Sequence, residues 1–184
     1  MASTWLYLVR HGEQDGHAPD GGLSELGRAQ ADRLGRRLRG VPFSVVHHSP
    51  LTRAAQTAGI VAGHLPRVPR HSCELVTDRT PVGPREEYPE SWHAWLDGVP
   101  AEERDEDAVA LRAAVRHLGV VGDEDRQELV ITHNFVIGWF VRHVLDAPQW
   151  RWIGLDQANC GITVVRWSTG RPPVLVSFND TGHL

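Results

Sequence analysis

A chain of 184 residues, 41% of them hydrophobic, is long enough to bury a core unaided and too apolar to be disordered. Its formal net charge of −4 supplies no overall field toward nucleic acid or an anionic membrane, and no apolar run approaches the ~20 residues needed to cross a bilayer. All 19 basic residues are arginine, which excludes a P-loop lysine, a Schiff base and a lysine general base and leaves anion recognition to arginine, histidine, hydroxyls and backbone N–H groups. The N-terminus has no basic region ahead of its short apolar stretch, so it does not read as a signal peptide. Cys73 and Cys160 show no CxxC spacing and read as reduced thiols in a cytoplasmic protein.

Residues 5–9 form a continuous apolar run, as expected for a strand buried on both faces. Polar, Gly-rich sequence follows to Gly22. Ser24 can cap a helix running to about Arg39, with Leu26, Leu34 and Leu38 on one face. Residues 43–47 read as a second buried strand and residues 52–63 as a helix carrying Arg53 near its start. Residues 66–100 contain six prolines and little periodicity. They are expected to run over the surface as a long excursion with a short strand near residues 72–75, and loops of that length in a compact domain are usually functional. Residues 102–119 read as an amphipathic helix, with Ala108, Leu111, Val115 and Leu118 inward and acids in its first turns. Residues 129–132 read as a strand, 136–145 as a buried helix with Ile137, Phe140, Val141 and Val144 inward, and 161–167 with 174–178 as a closing pair of strands. This alternation predicts a single α/β domain over residues 1–184: a three-layer α/β/α sandwich around a mixed, mostly parallel sheet of about six strands.

In such folds ligands bind beyond the carboxyl ends of the strands. Arg10 and His11 follow the first strand, His47, His48 and Ser49 the second with Arg53 just beyond, and His133 and Asn134 the strand at 129–132. Three distant segments therefore deliver Arg, His, Arg and His to one edge. A neutral imidazole can attack phosphorus and form a phosphohistidine, and two fixed guanidinium groups can hold the charge on the phosphoryl oxygens. Gly12 leaves room for backbone to approach the anion. His47 and His48 are adjacent on a strand and point to opposite faces, so they do not make a metal pair, and no HExxH spacing appears.

The strings Leu8-Val9-Arg10-His11-Gly12-Glu13, Leu23-Ser24-Glu25-Leu26-Gly27-Arg28-Ala29-Gln30-Ala31 and Ser49-Pro50-Leu51-Thr52-Arg53-Ala54-Ala55-Gln56-Thr57-Ala58 resemble the signatures of the histidine phosphatase superfamily, the phosphoglycerate-mutase-like proteins. The resemblance covers nearly the whole chain. It implies that His11 is the nucleophile, that Arg10 and Arg53 bind the phosphoryl group, that His133 is the second histidine of the phosphate pocket, and that no metal or other cofactor is needed. His17 stands where the family often has a phosphate-touching Asn, and Asn134 stands where it most often has Gly, so both are candidate phosphate or substrate contacts.

A leaving oxygen needs a proton, so a carboxyl group is expected near His11. Residues 75–81, Leu-Val-Thr-Asp-Arg-Thr-Pro, resemble a segment of the branch containing the mitochondrial protein serine/threonine phosphatases, which puts Asp78 at the acid position, with Glu74 as the rival. The segments Thr132-His133-Asn134-Phe135-Val136-Ile137 and Asn179-Asp180-Thr181-Gly182-His183 are similar to that branch as well. The expected activity is hydrolysis of a phosphorylated small molecule or phosphoprotein. A phosphoglycerate-type phosphomutase and an inactive phosphoprotein-binding relative are the alternatives. No nucleic-acid or membrane partner is expected, and a homodimer is compatible with the sequence. Trp92 and Trp95, in the excursion, either pack it onto the body or line a leaving-group pocket.

Overall fold

The computed structural model describes residues 1–16 and 20–184. In chain order its elements are β1 (Ser3–Arg10), α1 (Glu25–Arg37), β2 (Phe43–His48), α2 (Thr52–Ala62), β3 (Arg70–Ser72), β4 (Thr80–Val82), α3 (His93–Asp97), β5 (Arg104–Glu106), α4 (Val109–Leu118), β6 (Arg126–Thr132), α5 (Asn134–Val144), β7 (Ile162–Ser168) and β8 (Arg171–Asp180). Six strands form one sheet in the order β3-β2-β6-β1-β7-β8, and β4 pairs only with β5. The pairs β2–β3, β2–β6 and β1–β6 are parallel; β7 is antiparallel to both β1 and β8. This is the mixed, mostly parallel α/β sheet expected from the sequence.

Alternation along β1 explains the three layers. Leu6 and Leu8 enter a core shared with α4 and α5, whereas Trp5, Tyr7 and Val9 enter a second core under α1 and α2. A strand that feeds two cores must be apolar throughout, which is why periodicity alone reads it as a continuous run.

Several expectations are corrected. Leu26 is 49% exposed. The inward stripe of α1 passes instead through Gly27, Ala31, Leu34 and Gly35, because the helix presses against the loop after β1. A Cβ on Gly27 would overlap the Glu13 carbonyl oxygen, so the closest approach is made at glycine and Leu26 is turned outward. Ser24 does cap this helix, its Oγ accepting from the Gly27 N–H at 2.9 Å.

The helix expected from residue 102 begins only at Val109. Asp105 explains the difference. Its carboxylate accepts from the Ala110 N–H at 3.0 Å and the Leu111 N–H at 2.9 Å, so it satisfies the first turn from outside the helix. Asp107 and Ala108 both take positive φ, 53° and 51°, which separates the acidic segment from the helix. Residues 104–106 pair with β4 instead. The short strand expected near 72–75 is β3, at Arg70–Ser72, and a 3-10 turn at Glu74–Val76 follows it. The Pro-rich excursion is thus not featureless: β4, α3 and several 3-10 turns lie within it or at its end.

Candidate active site

The carboxyl ends of β1, β2 and β6 share one edge of the sheet because the three strands are parallel neighbours. That edge receives Arg10 and His11 from β1, Ser49 from β2 and His133 from β6. Arg53 joins them from the first turn of α2.

His11 is held at both ends. Its ring Nδ1–H donates to the Gly12 carbonyl at 2.7 Å, which leaves Nε2 with its lone pair. Arg53 Nε–H points at that Nε2 from 3.1 Å. The His11 backbone is fixed by its N–H to the Thr132 carbonyl at 2.9 Å and by Asn159 Nδ2, which donates to its carbonyl at 2.9 Å. The His133 ring stands 5.1 Å from the His11 ring, centroid to centroid. Its Nε2 is 2.8 Å from Ser49 Oγ, and its Nδ1 lies 3.4 Å from both Arg53 Nη2 and Asp78 Oδ2. Asp78 Oδ2 accepts from Arg53 Nη2 at 2.8 Å. Arg53, 6% exposed, thereby touches His11, His133 and Asp78 at once.

Both imidazoles are kept neutral. Burial, reinforced by His133 and by the Arg53 and Arg10 charges, lowers the His11 pKa to about 3 despite the hydrogen bond to Gly12. Burial and the same two arginines push His133 well below the ordinary histidine value. The unfolded chain binds these protons near pH 6.5 and the folded chain does not. Stability should therefore be fully present above pH 6.5 and decline as pH falls from there toward 3, by up to about 1.4 kcal/mol per pH unit for each histidine. Urea midpoints measured from pH 7 to pH 4.5 should fall accordingly, and His11→Gln should flatten the slope. A wild-type slope unchanged by that substitution would contradict the assignment.

The structure thus brings together His11, Arg53, His133 and Asp78. Arg10 is adjacent: its charge bears on both imidazoles, and its Nη1–H donates to the Gln157 carbonyl at 2.6 Å, with Asp156 Oδ1 at 3.6 Å. Two expectations change. The Gly12 N–H donates to Thr57 Oγ1 at 3.0 Å, and a Cβ at Gly12 would stand 2.5 Å from the Gly27 carbonyl oxygen. Glycine is therefore required there by the packing of α1, and its amide is committed to α2 rather than to an anion. Asn134 Oδ1 accepts from the Gln157 N–H at 2.9 Å, so this side chain braces the loop that holds Arg10. Glu74 is exposed and accepts only a long bond of 3.4 Å from Thr77 Oγ1. His17 lies outside the described residues. His47 is not delivered to this edge as a separate group; it lies within β2 with Nε2 3.3 Å from Glu128 Oε2. Among the described residues no group of three or more His, Cys, Asp or Glu could hold a metal ion.

Sequence reasoning assigned no role to Ser49, Thr57, Gln157 or Asn159. Thr57, with Gln56, which accepts from the Leu23 N–H at 2.8 Å, lies in the string after β2 that the resemblance had picked out, so a signal for it existed. Gln157 and Asn159 carry none, because the site residues they hold, Arg10 and His11, are more than a hundred residues away.

A cleft of about 550 Å³ opens over this cluster, lined in part by Gln14, Arg53, Asp78, Arg79, Glu103 and Phe135.

Residues 6–181 match the model of the histidine phosphatase superfamily, branch 1. The chain is 33% identical over 189 residues to the mitochondrial serine/threonine-protein phosphatase Pgam5 of Caenorhabditis briggsae, covering 100% of this chain and 65% of that protein. It therefore spans less than two thirds of the length of such curated relatives. Its fold is similar to that of mycobacterial glucosyl-3-phosphoglycerate phosphatase, with TM-score 0.75 at 22% identity over 97% of this chain and 100% of that one. Phosphoserine phosphatase of Entamoeba histolytica superposes with TM-score 0.70 at 22% identity, covering 98% of each chain.

Proposed function

The chain belongs to the histidine phosphatase superfamily, and from that premise we propose that it hydrolyses phosphomonoesters through a phosphohistidine on His11. The observation that carries this reading is the contact of one buried guanidinium, Arg53, with His11 Nε2, His133 and Asp78. The Nε2 lone pair attacks phosphorus as the bond from phosphorus to the leaving oxygen breaks. Arg53 and Arg10 hold the phosphoryl oxygens, and His133 hydrogen-bonds to them. Asp78, in its protonated form, gives its proton to the leaving oxygen. Water then attacks phosphorus and returns a proton to Asp78, the P–N bond breaks, and inorganic phosphate leaves with His11 restored.

Asp78 is favoured over Glu74 because it alone is within contact of the cluster. Asp78→Asn should lower kcat about 10²-fold or more on esters with poorly acidic leaving groups and far less on an activated aryl ester, whereas Glu74→Gln should leave both unchanged. Equal losses in the two variants would remove Asp78 from the role.

Glu102 and Glu103 line the same cleft as Arg53. With Asp78 they set three carboxylates against Arg53 and Arg79 in that cleft, which leaves no surplus cation for a second anionic group of a substrate and supports hydrolysis over phosphoglycerate-type phosphomutase chemistry. The substrate is a phosphorylated protein or small molecule; the names of the relatives support both. Phosphate release from several phosphomonoesters, independent of added bisphosphoglycerate, tests the activity, and absence of any turnover would favour an inactive phosphoprotein-binding relative.

The two free cysteines support a reducing compartment such as the cytoplasm; burial pushes the Cys160 thiol up to about 12, so it is unreactive. Exposure of Val174, Val176 and Phe178 along the edge strand β8 supports a homodimer formed through that strand. Among the described residues no helix is long and apolar enough to cross a membrane.

A further inference from the structure

Next to the phosphate-binding cluster lies a second pocket, of about 270 Å³, whose walls include Trp92, Trp95, Phe135 and Trp152. The four rings interlock. Trp92 meets Trp95 edge to face at 5.9 Å, Trp95 meets Phe135 at 5.9 Å, and Phe135 meets Trp152 at 4.9 Å. Three sequence segments supply them: the Pro-rich excursion with α3, the start of α5, and the 3-10 turn at Gln149–Trp152.

The rings are not equivalent in burial. Trp152 is 1% exposed and belongs to the core. Trp92 and Trp95 are 36% and 41% exposed, so their faces stay in water although a short helix is formed to hold one of them. Exposed tryptophans grouped around a concavity mark a surface that gains by covering apolar area.

Its place in the molecule identifies what covers it. Phe135 is a wall both of this pocket and of the cleft that contains Arg53 and Asp78. It lies two residues after His133. On the far side the pocket wall includes Asp156, 3.6 Å from Arg10. A phosphoryl group on Arg53 and Arg10 therefore has this pocket beside it, and the group esterified to that phosphoryl can extend across Phe135. The size is somewhat below that of drug-sized ligand sites, which suits one or two fused rings.

We propose that this pocket receives an aromatic ring of the substrate's leaving group, so that the preferred phosphomonoesters are those with a flat aromatic or similarly apolar portion close to the ester oxygen. The proposal rests on the phosphatase reading above and narrows its substrate class.

Phenyl phosphate and 2-naphthyl phosphate test it, because their leaving groups are similar in acidity and differ by one fused ring. Wild-type kcat/KM should favour the naphthyl ester about tenfold or more, from the extra apolar area buried. Trp95→Ala should bring that ratio close to one by lowering naphthyl phosphate turnover much more than phenyl phosphate turnover, and Trp95→Phe should restore part of the preference. If Trp95→Ala does not fold, Trp92→Ala serves in its place. A wild-type ratio near one, or a ratio untouched by the substitution, overturns the proposal while leaving the phosphatase reading intact, since phenyl phosphate is still hydrolysed. If neither ester is hydrolysed, the phosphatase reading fails. Calorimetric binding of the two esters then decides the pocket on its own: tighter naphthyl binding that Trp95→Ala abolishes supports it, and equal affinities overturn it.

Discussion

His11→Ala should abolish turnover while the protein remains folded. His11 Nε2 is the nucleophile of the proposed mechanism, and without it water would have to displace the leaving oxygen in one step while Asp78 is committed to protonating that oxygen. The ring makes one hydrogen bond to backbone and one to Arg53, so its removal leaves a small polar cavity that water can fill rather than a collapsed core. The loss should be on the order of 10⁴-fold or more in kcat, the scale seen when a covalent nucleophile is deleted. Brief reaction of the wild type with a radiolabelled phosphomonoester, stopped in base where a phosphohistidine survives, should leave label on His11. Label on a serine, or steady turnover with no label trapped at any time, would exclude the mechanism.

The second large loss is expected at Arg53. Arg53→Ala should reduce kcat/KM by about 10²–10³-fold, or roughly 3–4 kcal/mol in transition-state stabilisation. Arg53→Lys should recover little of it, because an ammonium cannot reproduce the planar fork that reaches Nε2 of His11 and Oδ2 of Asp78 together. Loss of this charge also removes one of the influences that hold the His11 pKa down, so the acid limb of kcat/KM should move to higher pH in the variant. An Arg53→Ala enzyme with unchanged kcat/KM would show that the phosphoryl group is held elsewhere.

Much of this site was legible before the fold was known. Residues 5–9 of the strand ahead of His11 are apolar without a break because they feed two cores, and the residues that follow three parallel strands must emerge at one edge. His11, Arg10, Arg53 and His133 follow from that rule together with the superfamily resemblance. What stayed hidden depends on partners distant in sequence. The three-residue strands β4 and β5, Thr-Pro-Val and Arg-Asp-Glu, have no periodicity and exist only through each other. Asp105 looked like a residue of an acidic first turn, whereas it caps α4 from outside. Gly12 was read as leaving room for an anion, but its amide is engaged by Thr57, and the Asn134 side chain proves to brace the Gln157 amide through Oδ1, a partner its place in the motif did not indicate. The proposed preference for Asp78 over Glu74 rests on reach, which depends on the 3-10 turn that carries Glu74 and leaves it exposed.

At rest the guanidinium of Arg53 already grips a carboxylate, that of Asp78. A phosphoryl group must therefore exchange with an anion tethered to the same chain, which competes at a fixed, high effective concentration. Asp78 takes up the proton of the incoming phosphomonoester monoanion as it is displaced from Arg53, and once the P–N bond is cleaved it passes its recovered proton to the departing phosphate, so that the re-formed carboxylate helps to eject inorganic phosphate. Product inhibition should accordingly be weak, and the cycle should not stall on its own end product.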